Sequence, residues 1–423
     1  NSLSAYERLE NRFGRWSRIY AASFNVLYHI GRMGMILYGV SLAVSTVAPV
    51  PLKSMIVVIG VLVIVYTLLG GIEAVIWTDV LQSVILIGGI LLCLVVLIGL
   101  IPGGVSEILQ TASAQTDGGS NRLSLGSVRL NRFTFAGETL WATLLFGFVT
   151  NLQNFAADQT YVQRYFTASS QQSAQRSVWM GAIAYIPISA ALFFIGTALF
   201  VYYGHHGELP GDVSSRDVLP WFIMHKLPAG VSGLLIAAIL AAAMSTVDSS
   251  LNSSSTLLLC DGIRPLFPRL TDRTELRLLR LMTVLLGVMG ISAALFMTRI
   301  KSILDAWWLL SGILSGGTLA LILLARFSRI QSRIIPLFAT FVGICAIAVV
   351  TLAGMKPADV PKLVPDGLYT AIAPLSTYIH QRMAGTVGTL TILAVAMLLA
   401  PFTRLRSGRR PSETPLWKTP LSR

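Results

Sequence analysis

Charge is what this chain lacks most. Only 12% of its 423 residues are Asp, Glu, Lys or Arg, about half the share in an ordinary soluble domain. That excludes a conventional water-soluble enzyme or scaffold. Cysteine is scarce too. Cys93, Cys260 and Cys345 lie in or beside apolar runs without paired spacing, so neither a disulfide framework nor a cysteine-bound metal is expected. The histidines, at 29, 205, 206, 225 and 380, form no spaced motif with a serine or aspartate. A nucleophile with its base is therefore missing, which argues against an intramembrane hydrolase. A solute sensor would be supported by a tail fused to kinase-like sequence, and the closing segment of about 20 residues carries none.

Long apolar runs are what is there. Hydrophobic residues make up 54% of the chain, and the mean hydropathy is +0.70. Ten runs approach the roughly 20 residues a bilayer-crossing helix needs: 20–46, 52–70, 77–101, 138–160, 178–203, 232–258, 276–298, 303–325, 334–352 and 385–402. Pro49 with Pro51, Pro102 with Gly103 and Gly104, and Pro228 to Gly230 punctuate them. The pattern predicts an all-α polytopic protein of the lipid bilayer.

The net charge of +13 suggests nucleic acid until its placement is read. Arg8, Arg12, Arg15 and Arg18 precede the first run, and Arg164 and Arg176 follow the fourth. Arg264, Arg269, Arg273, Arg277 and Arg280 follow the sixth; Arg326, Arg329 and Arg333 follow the eighth; the tail is basic again. Alternate connections are therefore the basic ones, as for a chain that starts and ends in the cytoplasm. No nucleic-acid partner is expected.

Four polar constellations interrupt this apolar background. AAAMSTVDSSLNSSST, residues 241–256, sets eight hydroxyls and one carboxylate at the end of an apolar run. Ala242, Ser245, Thr246 and Ser249 are spaced i, i+3, i+4, i+7, one stripe of a helix, with Asp248 beside it. Hydroxyls and a freed carbonyl are hard oxygen donors that suit a dehydrated alkali cation. Bonding of each hydroxyl back to its i−4 carbonyl is the competing reading. In LLGGIEAVIWTDVLQSVILIGG, residues 68–89, Gly70-Gly71 is expected to break the chain and leave Asp79 and Gln82 in the first turns of the next helix. A carboxylate at that depth costs roughly 2.5–3.5 kcal/mol, which a bound cation would offset; capping of the helix start is the alternative.

LYHIGRMGMILYG, residues 27–39, buries Arg32 between Gly31 and Gly34. Its planar fork matches a carboxylate, either an anionic solute or a protein acid such as Glu73, Asp79 or Asp158. The fourth constellation, residues 148–177, places Asn151, Gln153 and Asn154 in mid-helix, with Asp158 at the inner end. Such amides bind a polar solute or one another.

YERLENRFG (6–14), GGIEAVIWTDVLQ (70–82), DQTYVQRYFTASS (158–170) and MSTVDSSLNSSST (244–256), in that order, resemble the sodium:solute symporter family over about 1–330. The resemblance implies a leucine-transporter-like five-plus-five inverted repeat with sodium and solute near the midplane. It places the main sodium site on Ala242, Ser245 and Thr246. It places a second sodium on Asp79 with Ser245 and Ser249, joined by Asp248. It gives Arg32 the carboxylate of a sialic acid; at the inner gate, where the family's sugar carriers have an aromatic, Asn154 falls with Phe155 adjacent, so the aromatic gate does not carry over. The first run matches the third core helix, so the resemblance implies two earlier helices. The chain, which begins without Met, is expected to be a fragment of a working transporter; a truncated, non-transporting product is the alternative.

The resulting expectation is a sodium symporter for an anionic solute, best an acidic sugar, binding through Arg32, Asn151, Asn154 and Phe155. Its core would span 1–330, further membrane helices 331–403, and a cytoplasmic tail 404–423. It would act as a monomer in a bacterial inner membrane.

Overall fold

The computed structural model describes residues 4–47, 50–114, 116–117, 120–121, 135, 139–205, 209–211, 213, 217–299, 303–328, 330, 332–355 and 364–401. The tail expected at 404–423, and parts of the connections 102–137, 204–230 and 353–384, lie outside the described residues, as does the side chain of Glu73. Among the described residues the fold is helical apart from two antiparallel two-residue strands, Thr116–Asp117 and Ser120–Asn121, and a lone bridge of Phe135 with Ile379.

In chain order the helices are α1 (Glu7–Phe13), α2 (Arg15–Val47), α3 (Leu52–Leu100), α4 (Gly104–Ala114), α5 (Leu140–Ala157), α6 (Gln159–Thr167) and α7 (Gln171–His205). There follow α8 (Val218–Lys226), α9 (Ala229–Leu257), α10 (Asp272–Met297), α11 (Ile303–Phe327), α12 (Ile334–Ala353), α13 (Asp366–Ile372) and α14 (Ala384–Leu399). Their starts and stops follow local chemistry. Gly14 separates α1 from α2 at φ +97°, a left-handed conformation that L side chains rarely adopt. Pro51 and Pro228 precede α3 and α9, and the hydroxyls of Thr139 and Thr271 cap α5 and α10.

Among the described residues, nine helical segments are long and apolar enough to cross a membrane. The one run expected from the sequence that is not among them is the fourth, which holds α5; Asn151, Gln153 and Asn154 dilute its hydropathy. Two further expectations are corrected. Gly70-Gly71 does not break the chain, because the backbone stays helical from Leu52 to Leu100. Two crossing segments, Leu52–Gly70 and Val75–Leu100, thus belong to one helix. Tyr66 and Gly89 would lie about 35 Å apart on a straight helix. Yet they meet Asp248 and Ala238 of α9, about 15 Å apart, so α3 bends around α9. The run 138–160 is also not one helix: it stops at Ala157, passes through extended Asp158 (φ −75°, ψ 126°) and restarts at Gln159.

One core gathers buried residues of α2, the first half of α3, α9, α10, α11 and α14, among them Met33, Leu37, Ile56, Leu251 and Leu286. A second joins the far half of α3 to α4, α7, α8 and the start of α9. Helices α11 and α14 meet closely because a Cβ on Gly312 would lie only 3.3 Å from Gly385 N; small residues let membrane helices approach in this way. The outer surfaces of α3, α7 and α10 carry exposed Val, Leu, Ile and Phe, as expected where lipid is the solvent.

Beyond α9 a six-residue π-helical turn, Leu258–Ile263, holds Asp261. Arg18 Nε donates to Asp261 Oδ1 (2.7 Å) and Ser4 Oγ to its Oδ2 (2.6 Å). Ala5 N donates to Gln159 Oε1 at 2.9 Å. Through these bonds the residues around α1 are tied to the ends of α9 and α6.

Candidate ion and solute sites

Most hydroxyls of helix α9 fall into two sets. Ser245, Ser249 and Ser253 recur every fourth residue and so share one face. Ser245 donates to Asp79 Oδ1 on α3, Ser249 accepts from Arg164 on α6 at 2.8 Å, and Ser253 donates to Gln163 Oε1 at 3.3 Å. The other set turns inward on its own helix. Thr246 donates to the Ala242 carbonyl at 3.1 Å, Ser250 to Thr246 O at 2.7 Å and Thr256 to Asn252 O at 2.8 Å, the back-bonding of membrane Ser and Thr. Ala242 and Thr246 are thus bonded to one another, while the cross-helix stripe is 245/249/253.

Asp79 is the centre of that stripe. The continuity of α3 removes the capping alternative, since no helix starts near it. Its carboxylate accepts from Ser245 and, on Oδ2, from Arg164. The Asp79 side chain is 15% exposed and that of Arg164 43%, so the cluster is open on the α6 side. Gln82, one turn further on, has its amide oxygen buried without a partner among the described residues. Asp248 faces elsewhere. It accepts from the Tyr66 hydroxyl on the first half of α3 and from the Ser249 N–H at 2.5 Å, and it is fully buried.

Arg164 was legible in the sequence only as a marker of the cytoplasmic side. It instead reaches into the cluster expected to hold sodium. The one available signal was its place in DQTYVQRYFTASS, which says that the residue matters but not what it touches.

The second cluster forms where α5 gives way to α6. Asp158 caps α6 by accepting from Thr160 N at 2.8 Å. His29 Nε2 lies 3.2 Å from the same Asp158 Oδ1 and 3.4 Å from Thr160 Oγ1. Both His29 and Asp158 are buried. Arg32, one turn beyond His29, brings Nη1 to 3.9 Å from Asp158 Oδ2, too far for a hydrogen bond. That oxygen has no hydrogen-bond partner among the described residues. Of the protein acids considered for Arg32, the described one facing it is Asp158. The contact neutralises charge, yet leaves the planar guanidinium fork able to receive a second carboxylate.

The other expected solute residues are less gathered. Asn151 is exposed, and its amide donates back to Gly147 O at 2.8 Å. Asn154 is half-buried. The Phe155 ring packs 5.1 Å from that of Tyr161, and its carbonyl accepts from Tyr165 at 3.1 Å. Asn151 is thus the weakest of these residues as a solute contact.

Comparison with known proteins matches the chain and its fold to a family. The model of the sodium:solute symporter family matches residues 1–333. The sodium/sialic acid symporter NanT of Aliivibrio fischeri is 31% identical over 406 residues, covering 95% of this chain and 74% of that protein. The sodium/sialic acid symporter SiaT of Proteus mirabilis is 34% identical over 357 residues, 81% of this chain and 69% of that one. The human sodium-coupled monocarboxylate transporter 1 is 29% identical over 345 residues, 80% of this chain and 55% of that one. The fold resembles a Na+-coupled sialic acid symporter solved in a substrate-bound outward-open state, with TM-score 0.80, 30% identity, and coverage of 94% of this chain and 77% of the other. With a family model matching most of its length and a helical bundle of leucine-transporter type, this chain belongs to the sodium:solute symporter family.

Proposed function

We propose that the protein couples inward sodium movement to uptake of an acidic sugar of the sialic acid class. The observation that carries the ion half is the bond of Ser245 to Asp79 across the α3–α9 contact, with Ser249 joined to the same acid through Arg164. A carboxylate and two hydroxyls on adjoining helices offer one negative charge and hard oxygens, which suits a monovalent cation. Ala242 and Thr246, bonded to one another, are assigned with Ser245 to a neighbouring sodium, and Asp248, which accepts from Tyr66, is the second acid assigned to the ions. The solute half rests on Arg32, whose guanidinium lies beside Asp158 without being hydrogen-bonded to it. Asn154 and Phe155, on the helix leading to Asp158, and Asn151 one turn earlier are the further residues assigned to the solute.

Sodium binds first and favours the outward-facing arrangement. The anionic solute then engages Arg32, and the occluded complex rocks inward. This ordering needs both ligands to prefer the same state, because a ligand of equal affinity for both shifts nothing. The protein is a transporter and not an enzyme. It acts as a monomer in the bacterial inner membrane, with its C-terminus in the cytoplasm, as the placement of basic connections supports.

A second reading has one specific support. Arg32 suits any carboxylate, and a monocarboxylate transporter is among the relatives. Counterflow into proteoliposomes decides between them. Exchange of labelled sialic acid, competed by acidic sugars but not by short monocarboxylates or neutral sugars, is the expected result. Equal competition by a neutral sugar would remove the anionic assignment.

A further inference from the structure

We propose that Arg164 is a tethered cation that competes with sodium for Asp79 and Ser249. The proposal rests on the sodium reading above and adds to it a residue that the reading did not include. Arg164 stands on α6, yet one of its guanidinium nitrogens donates both to Asp79 Oδ2 and to Ser249 Oγ. Those two residues, with Ser245 bonded to the other carboxylate oxygen, are the donor set assigned to the ion. Sodium and a guanidinium cannot both sit against the same carboxylate oxygen and hydroxyl. Each neutralises Asp79, so the acid keeps a counter-charge whichever is bound. The Arg164 side chain is 43% exposed, so solvent can take it when sodium displaces it.

Displacement also has a path to the solute. Helix α6 spans only Gln159–Thr167. Its capping residue is Asp158, the acid between His29 and Arg32. One short helix thus carries the arginine that answers to sodium and adjoins the carboxylate that faces the solute arginine. Freeing Arg164 loosens the tie between α6 and the α3–α9 pair. A ligand that changes that tie changes the solute site by linkage.

The test is a sodium titration of purified, intact protein without solute, read by intrinsic fluorescence, with choline holding ionic strength constant. Arg164→Gln should lower the sodium concentration for half-saturation about two- to fivefold, as expected on removing a competing ion pair of this exposure. It should also shrink the factor by which sodium improves solute affinity. Arg164→Lys, which restores the charge, should return both toward the parent. A folded Arg164→Gln protein with unchanged or weakened sodium binding overturns the proposal. Asp79→Asn is the control for the site itself: if it titrates like the parent, the sodium assignment fails, whereas a weakened Asp79→Asn with an unaltered Arg164→Gln removes only the competition. If Arg164→Gln does not fold, phenylglyoxal labelling of the unmutated protein, followed at Arg164 by mass spectrometry, serves instead. Sodium should speed labelling relative to choline; no change, or protection, overturns the proposal.

Discussion

Two aspartate–arginine pairs stand at the two ends of α6, and they are built differently. At Asp79 the arginine is hydrogen-bonded to the acid, and the side chains are 43% and 15% exposed. At Asp158 the acid is fully buried, held by His29 and a backbone N–H, and Arg32 stands off at 3.9 Å. The first arrangement leaves a carboxylate whose partner water can replace, as an exchangeable cation site requires. The second leaves an arginine that is neutralised but not saturated, as capture of an anionic solute requires. Burial decides which member of each pair is available: the exposed arginine can leave, while the buried acid cannot.

Breaking the first pair on the acid side should have the largest effect. Asp79→Asn keeps shape and removes charge, so sodium-stimulated uptake into proteoliposomes should fall to the sodium-free background; Ser245→Ala should do nearly the same. Retained sodium dependence in both variants would dismiss this cluster as the ion site. Breaking the second pair on the base side comes next. Arg32→Ala should cost acidic solutes about 30-fold or more in affinity, the scale for truncating one side of a buried charged contact. Neutral solutes should lose far less, and equal losses would count against carboxylate recognition.

Asp158→Asn sharpens the contrast in burial. It strips the buried acid from His29 and Arg32, and breaking a buried pair costs about 3 kcal/mol. Thermal melting should therefore drop by several degrees, whereas Asp79→Asn, at a more open pair, should lower it less. The smallest effect is expected at Ser250, whose hydroxyl bonds to Thr246 O on its own helix. Ser250→Ala should move sodium half-saturation less than twofold, against a far larger shift for Ser245→Ala. Similar shifts in the two would erase the distinction between the two hydroxyl sets.

Most membrane helices were readable from the run lengths, because a bilayer imposes a minimum apolar length that few other constraints imitate. The association of Asp79 with Ser245 and Ser249 came from motifs in register, and the structure brings the three together. The glycine pair at 70–71 misled. Glycine is tolerated within membrane helices when neighbours hold the backbone, and here α3 runs through the pair unbroken. The opposite error occurred at Asp158, where no glycine or proline announces the interruption. A side chain able to cap a new helix was enough to end the old one. Which hydroxyls of α9 point outward was also hidden, since Ser245 and Thr246 are chemically alike and only the neighbour opposite each one separates them.

By itself the sequence determined that the chain lives in a membrane, that it is helical, and that a few oxygens and one arginine sit where lipid would exclude them. Composition and period suffice for this because water, lipid and backbone hydrogen bonding act on each segment locally. The tertiary structure alone decided which acid faces which arginine, which hydroxyls are shared between helices, and that α6 joins the two clusters. Those contacts join residues as far apart as Asp79 and Ser245 or His29 and Thr160, and a hydrogen bond or ion pair forms only when packing brings its two partners within reach.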